Sequence, residues 1–286
     1  MTSTERYPLR NADEREGARL SLLQGLSDPI TVRWFERLGV GEGWRCAELG
    51  AGGGSMVEWL AERVGPDGSV TAFDQDTSRI EALAERYGNI AVVQGDLCEL
   101  ELPEAGFDLV HSRSVLMHLA CPDLVVERAV GALVPGGIVF FEETDGAPAQ
   151  EASDAPEAFQ AVFVPLCSRW TWARGLAASL RSLGMSDVED DVRDDPLTGA
   201  TPKAEFWKYT LGSVAELQQR ALSSPERMAE LRAQGIDPGE LLRALPQMLE
   251  LLDDPGFSAP FTARHRVTAR RPGARRQDPA DGPGVT

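Results

Sequence analysis

The chain has 286 residues, 42% of them hydrophobic, with a formal net charge of −17. That length suffices for one large core with an appended subdomain, and the acidic balance argues against broad binding to a phosphate backbone. No run of eighteen apolar residues is present, and the opening stretch "MTSTERYPLRNADEREGARL" is polar where a secretory signal would be apolar, so the sequence reads as cytoplasmic, without a membrane span. Cys46, Cys98, Cys121 and Cys167 stand singly, without a CxxC pair and with only three His in the chain, so the expectation is buried reduced thiols and no metal site.

Taken in order, "LSLLQGLSDPITVRWFERLGV" repeats apolar residues at helical spacing. Ser27 or Asp28 before Pro29 is an N-cap signal, which predicts two helices ahead of the first strand. A strand "RCAELG", a glycine-rich turn and a helix "SMVEWLAERV" follow. The alternation then repeats: strand 69–74, helix 77–87, strand 90–96, strand 107–112, helix 122–133 and strand 137–143. Continuous apolar strands alternating with helices define a doubly wound α/β fold with a mostly parallel sheet.

Beyond Glu143 come a polar segment, helical stretches at 157–166 and 171–183, and a strand "MSDVEDDV". Several helices then occupy 204–252, and "APFTARHRVTAR" supplies a last strand. If the last two strands pair, the helices between them project from one end of the sheet as a lid. The expected division is N-terminal helices (1–40), a nucleotide-binding core (41–200), a helical insertion (201–255), a final strand (256–271) and a disordered tail (272–286). The basic run "ARHRVTARRPGARR" lacks interleaved aromatics and is read as leading into a solvated tail rather than as a nucleic-acid arm.

Five of the eight residues from Glu48 to Ser55 are Gly or Ala. In a doubly wound sheet, ligands bind beyond the carboxyl ends of the strands, where this turn sits. Gly50, Gly52 and Gly54 leave no Cβ between backbone and ligand. Asp74 ends the second strand, where a carboxylate accepts hydrogen bonds from a ribose diol, with a surface acid as the alternative. Asp96 in "QGDL" suits a base amino group, with Leu97 offering its amide, while a turn-forming Asp is the competing reading. A dinucleotide fingerprint needs glycine where Ser55 stands, and no phosphate-loop Lys follows. Glu48, acidic just before the loop, suits a cationic amino acid such as the methionine end of S-adenosylmethionine, although it could instead cap a helix or pair with Arg113.

The ordered motifs "AELGAGGG", "VTAFDQD", "QGDL", "FDLVHSRSVLMHL" and "LVPGGIVFFEE" resemble those of the class I S-adenosylmethionine-dependent methyltransferases, over about residues 7–271. The likeness is greatest to those acting on quinones and small natural products, including an actinobacterial group with a helical insertion before the final strand. The resemblance implies that Gly50 and Gly52 lie along the methionine portion and ribose, and that Asp74 holds both ribose hydroxyls. It further implies that Asp96 and Leu97 hold adenine, that Ser112 approaches the methionine portion through its backbone, and that Tyr7 folds over the cofactor. S-adenosylhomocysteine would be the product.

Candidates for acting on the acceptor are His118, Glu142 and Arg113. His111, inside a strand, reads as a core imidazole, and only one of Glu142 and Glu143 can face the site. Aromatics at 159–172 and 206–209 are expected to be mainly core, with a minority roofing a cleft for a planar or hydrophobic molecule. The expected activity is methyl transfer to an O, C or N nucleophile of a small metabolite in secondary metabolism, and the sequence leaves a homodimer open. A cyclase or isomerase on the same scaffold, a silent regulatory partner and a nicotinamide oxidoreductase are the competing readings, the last disfavoured by Ser55.

Overall fold

A computed structural model describes residues 14–168, 170–222, 224–233 and 237–273. Tyr7 and the tail beyond residue 273 lie outside the described residues. Seven strands form one sheet: β1 (Arg45–Leu49), β2 (Ser69–Asp74), β3 (Ile90–Gln94), β4 (Phe107–Arg113), β5 (Leu133–Asp145), β6 (Ser186–Thr198) and β7 (Ser258–Arg270). Their order is β3-β2-β1-β4-β5-β7-β6. The first five pair in parallel, whereas β7 runs antiparallel to both β5 and β6. The order reverses at β1, whose neighbours β2 and β4 leave a crevice beyond its carboxyl end.

The helices are α1 (Glu14–Leu38), α2 (Ser55–Val64), α3 (Glu81–Arg86), α4 (Pro122–Ala132), α5 (Ala147–Glu151), α6 (Glu157–Cys167), α7 (Leu176–Ser182), α8 (Pro202–Ala221), α9 (Pro225–Ala233) and α10 (Pro238–Asp253). α2 turns Met56, Val57, Leu60, Ala61 and Val64 inward, the stripe its sequence predicts. One face of the sheet packs Val57, Leu60 and Phe140 with Trp34 and Phe35 of α1. The other face packs Val110, Phe141 and Leu133 against α4 and α7.

Three expectations are corrected. The two N-terminal helices are one, with Pro29 inside α1. Asp28 does not cap a helix start there: its carboxylate takes the Arg113 guanidinium at 2.6 Å, so a tertiary ion pair overrides the local signal. The helix expected at 77–87 shortens to α3, preceded by a turn in which the Thr77 carbonyl accepts the Ile80 and Glu81 amides and its hydroxyl donates to Glu81 at 2.8 Å. The third correction concerns the thiols: Cys98 and Cys121 form a disulfide, while Cys46 and Cys167 are buried free thiols. The segment after β3 and the segment before α4 meet at the carboxyl edge of the sheet with 5.9 Å between the two Cα atoms, a proximity that sequence spacing does not reveal.

The strand pairing expected for the last two strands is present, with α8, α9 and α10 inserted between them. α8 lies alongside α1, and α10 packs on α6 and α8. Phe159, Phe163, Trp207, Leu211, Met248 and Phe261 form their common core. No helix among the described residues is long and apolar enough to cross a membrane.

Candidate active site

Above the carboxyl ends of the strands lies a cavity of about 1250 Å³. Its floor is the turn after β1, which can only be glycine where the chain bends most. Gly50 has φ 76°, and a Cβ there would stand 2.3 Å from a methyl of Val115. Gly52 has φ 52°, and its amide donates to Asp74 Oδ2 at 2.7 Å. The other carboxylate oxygen of Asp74 accepts the Asp76 amide at 2.9 Å. Each oxygen keeps a second lone-pair direction for a ligand hydroxyl. Burial raises the pKa of Asp74, opposed by these amide hydrogen bonds. Asp96 also lines the cavity, and its Oδ1 accepts the Cys98 amide at 2.9 Å. It therefore makes the turn its sequence suggests while keeping a place on the wall. Leu97, nearly buried, lines the wall beside it.

Glu48 is on the wall but pairs with neither a helix end nor Arg113. Its Oε2 lies 2.7 Å from His111 Nδ1. His111 is fully buried between Glu48 and Glu142, with Nε2 3.5 Å from Glu142 Oε1. Burial alone would lower the His111 pKa, but the two carboxylates outweigh it and raise it to about 9. Burial likewise opposes ionisation of Glu142, yet hydrogen bonds from His111 and Thr31 hold its pKa at about 2. Arg266 Nε adds a contact at 3.1 Å to Glu142, and Arg113 bonds Thr31 at 2.8 Å. A chain of alternating charges thus runs from the glycine turn through the sheet to α1.

This network corrects the placement of two expected residues. Glu142 is 2% exposed, saturated by its partners and absent from the cavity wall, so it is not placed to remove a proton from an acceptor. Ser112 is fully buried, its hydroxyl finds no partner among the described residues, and the wall is formed instead by Arg113 and Ser114. Glu143 points the other way. It is fully buried and accepts the amides of Val115, Leu116 and Met117 at 3.0–3.2 Å, fixing the loop after β4, and burial raises its pKa to about 7. Arg113 and His118 do line the cavity, His118 as an exposed residue with its ring 6.1 Å from that of Trp170.

The remaining walls come from α1 (Leu20, Leu23, Gln24, Ile30), from α8 (Phe206, Trp207, Thr210) and from Trp170 and Phe261. Phe159 and Phe163 are core, as expected for most of the aromatics, while Trp170, Phe206 and Trp207 reach the cavity. Sequence reasoning found the strand β7 but not its part in the site: Thr262, Arg264 and Arg266 line the cavity at alternate positions of a run whose basic end was read as leading into a solvated tail. The signal was there in "TARHRVTAR", a strand pattern with polar residues at period two. Ser114, whose φ of 56° costs a non-glycine residue roughly 1–2 kcal/mol, accepts a hydrogen bond from Arg264 at 2.8 Å.

A doubly wound sheet with a glycine turn after β1, an acid at the end of β2 and a large crevice between them defines a Rossmann-like scaffold. Residues 47–141 match the family described as a methyltransferase domain. Among curated proteins, the methyltransferase Str2 of Strobilurus tenacellus is 29% identical over 174 residues, covering 60% of this chain and 57% of its own. The arsenite methyltransferase of Aquipseudomonas alcaligenes is 32% identical over 114 residues, covering 36% of this chain and 33% of its own. The chain thus spans less than two thirds of the length of these relatives. Among solved structures, the [4+2]-cyclase SpnF superposes with a TM-score of 0.54 at 18% identity, covering 86% of this chain and 81% of that one. Phosphoethanolamine N-methyltransferase 2 of Haemonchus contortus superposes with a TM-score of 0.50 at 18% identity, covering 90% and 53%. The match over residues 47–141 and the mostly parallel seven-stranded sheet make the chain similar to the class I S-adenosylmethionine-dependent methyltransferases.

Proposed function

We propose that the protein transfers a methyl group from S-adenosylmethionine to an O, C or N nucleophile of a small, planar or hydrophobic metabolite in secondary metabolism. The observation that carries this reading is the continuity of the cavity: at about 1250 Å³ it exceeds the roughly 300–1,000 Å³ usual for one small ligand and joins the glycine turn to an aromatic roof. Gly50 and Gly52 would lie against the methionine and ribose, Asp74 would take the ribose diol on its open lone pairs, and Asp96 with Leu97 would border adenine. Glu48 would face the ammonium group, its surplus charge balanced by His111. The bound cofactor supplies a sulfonium methyl for in-line displacement. The chain supplies alignment, worth much of the acceleration in such a step. The three-helix insertion acts as the lid that carries the aromatic roof. His118 is the candidate base where the acceptor carries a proton.

The test is incubation with methyl-labelled S-adenosylmethionine and candidate acceptors, read by mass. Products one methyl heavier together with S-adenosylhomocysteine support transfer. His118→Ala should slow this step by about 10²–10⁴-fold, with cofactor affinity kept, if His118 is the base; an unchanged rate across pH assigns it to structure. The withdrawal of Glu142 from the cavity favours one second reading, a cofactor-bound cyclase or isomerase that needs no such base, for which the product mass is unchanged.

A further inference from the structure

The cavity wall opposite the glycine turn is the sheet face formed by β5, β7 and β6. Thr144, Thr262, Arg264, Arg266, Arg193 and Asp195 share it, with Arg264 paired in register to Thr144 on one side and Arg193 on the other. Most cations on this wall have a matched carboxylate. Arg266 bonds Glu142 at 3.1 Å, Arg113 meets Asp28 at 2.6 Å, Lys203 meets Asp195 at 2.6 Å and Arg193 meets Asp191 at 2.7 Å. Arg264 differs. Its nearest carboxylate, Asp195, is 4.0 Å from Nε, beyond hydrogen-bond distance, and already serves Lys203. Its hydrogen bond is to the neutral hydroxyl of Ser114.

A guanidinium has five donors and stays charged in proteins. Here it is 19% exposed: burial weakens its hold on the proton, the charges of Asp195 and Glu142 offset this in part from beyond hydrogen-bond distance, and Arg266 and Arg113 oppose its charge. A cation so desolvated without a hydrogen-bonded anion is unfavourable, and a ligand anion would relieve it. The acids Asp194 and Asp195 line the same region, which disfavours a dianionic phosphate. Trp170, Trp207 and Phe261 stand on the same cavity and suit an apolar or aromatic body.

We propose that Arg264, braced by Ser114 and flanked by Thr144, is the anion-binding end of the acceptor subsite, so that the methyl acceptor is a carboxylate attached to a planar or apolar skeleton. This rests on the methyl-transfer reading and deepens it. Arg264 orients the acceptor and stays outside the cofactor half.

The probes are 2-naphthoate, 2-naphthamide and 2-naphthyl phosphate, titrated calorimetrically into the full chain with and without saturating S-adenosylhomocysteine. The wild type should prefer the carboxylate over the amide by about ten- to a hundredfold, the factor for hydrogen bonds to a charged group. Arg264→Gln should reduce this preference to within about twofold, and Arg264→Lys should retain part of it, while affinity for S-adenosylhomocysteine is unchanged in both. Equal affinity for carboxylate and amide, no measurable carboxylate binding, tighter binding of the phosphate, or a preference that survives Arg264→Gln each overturns the assignment. The wild-type comparison decides even if Arg264→Gln fails to fold. Failure of S-adenosylhomocysteine to bind, with the carboxylate preference intact in its absence, overturns the methyl-donor reading and leaves the anion subsite standing.

Discussion

Asp74 offers the sharpest test of the cofactor half. In the free protein each of its carboxylate oxygens already accepts one backbone amide, from Gly52 at 2.7 Å and Asp76 at 2.9 Å. Asp74→Asn keeps the shape but replaces one oxygen by an NH₂ donor, which cannot accept from either an amide or a ribose hydroxyl. One charge-assisted bond to the diol is then lost outright and the other weakened. Loss of a hydrogen bond to a charged group is worth roughly 1.5–3 kcal/mol, so affinity for S-adenosylhomocysteine should fall about ten- to a hundredfold. The pH dependence supplies a second reading. Burial raises the Asp74 pKa, and a ligand that hydrogen-bonds the ionised form pulls it down again. Wild-type affinity should therefore fall as pH drops through that raised pKa, while the Asn variant should be flat over the same range. Isothermal calorimetry across pH measures both. Unchanged affinity in a variant that melts normally, or an Asn variant that keeps the wild-type pH profile, would refute the placement of the ribose at Asp74.

Other predictions concern the scaffold around the site. His111, held at about 9 against 6.5, contributes stability that is fully present below pH 6.5 and lost as pH rises through about 9. Glu142, held at about 2 against 4.5, contributes stability present above pH 4.5 and lost as pH falls through about 2. Glu143 has the opposite sense: burial raises it from 4.5 to about 7, so its ionisation removes stability as pH rises through that range. Denaturant midpoints should thus decline between pH 6.5 and 9, and His111→Gln should flatten the upper part; a profile that rises or stays level speaks against the network. Gly50→Ala should cost about 1–2 kcal/mol from its left-handed backbone alone and further displace Val115, lowering both melting temperature and S-adenosylhomocysteine affinity. Cys98→Ser should lower stability by about 3 kcal/mol, the chain-entropy value for a loop of this length. Denatured, unreduced protein should expose only the thiols of Cys46 and Cys167 to a thiol reagent; four reacting thiols would exclude the disulfide.

How far the sequence reveals the site depends on whether its signals are local. The glycine turn, Asp74 and Asp96 follow strands of continuous apolar residues, and their positions at strand ends place them in the crevice before any contact is known. Glu142 was misplaced because strand alternation shows that it and Glu143 face opposite sides but not what fills either side. His111 of β4 and Thr31 of α1, both distant in the chain, claim Glu142. The same non-locality hides the disulfide and joins the two expected N-terminal helices through Asp28 and Arg113.

The basic run gives the more instructive case. Read alone, "TARHRVTAR" is a dense cluster of charge, and such a cluster is usually solvated. Read beside "DVEDDVRDDPL", it is half of a largely complementary pair: antiparallel pairing sets Asp191 against Arg266, although Arg193 meets the like charge of Arg264. His265 then reaches Asp190 at 3.0 Å on one face, while Arg266 lies between Asp191 and Glu142 on the other. Two strands of opposite charge can bury groups that neither could bury alone. Arg264 has no carboxylate within hydrogen-bond distance, and it opens onto the cavity. Were the pairing merely structural, charge matching would be expected to extend to the residue most exposed to desolvation. That it stops at the cavity wall is the physical reason to look for the missing anion in the acceptor.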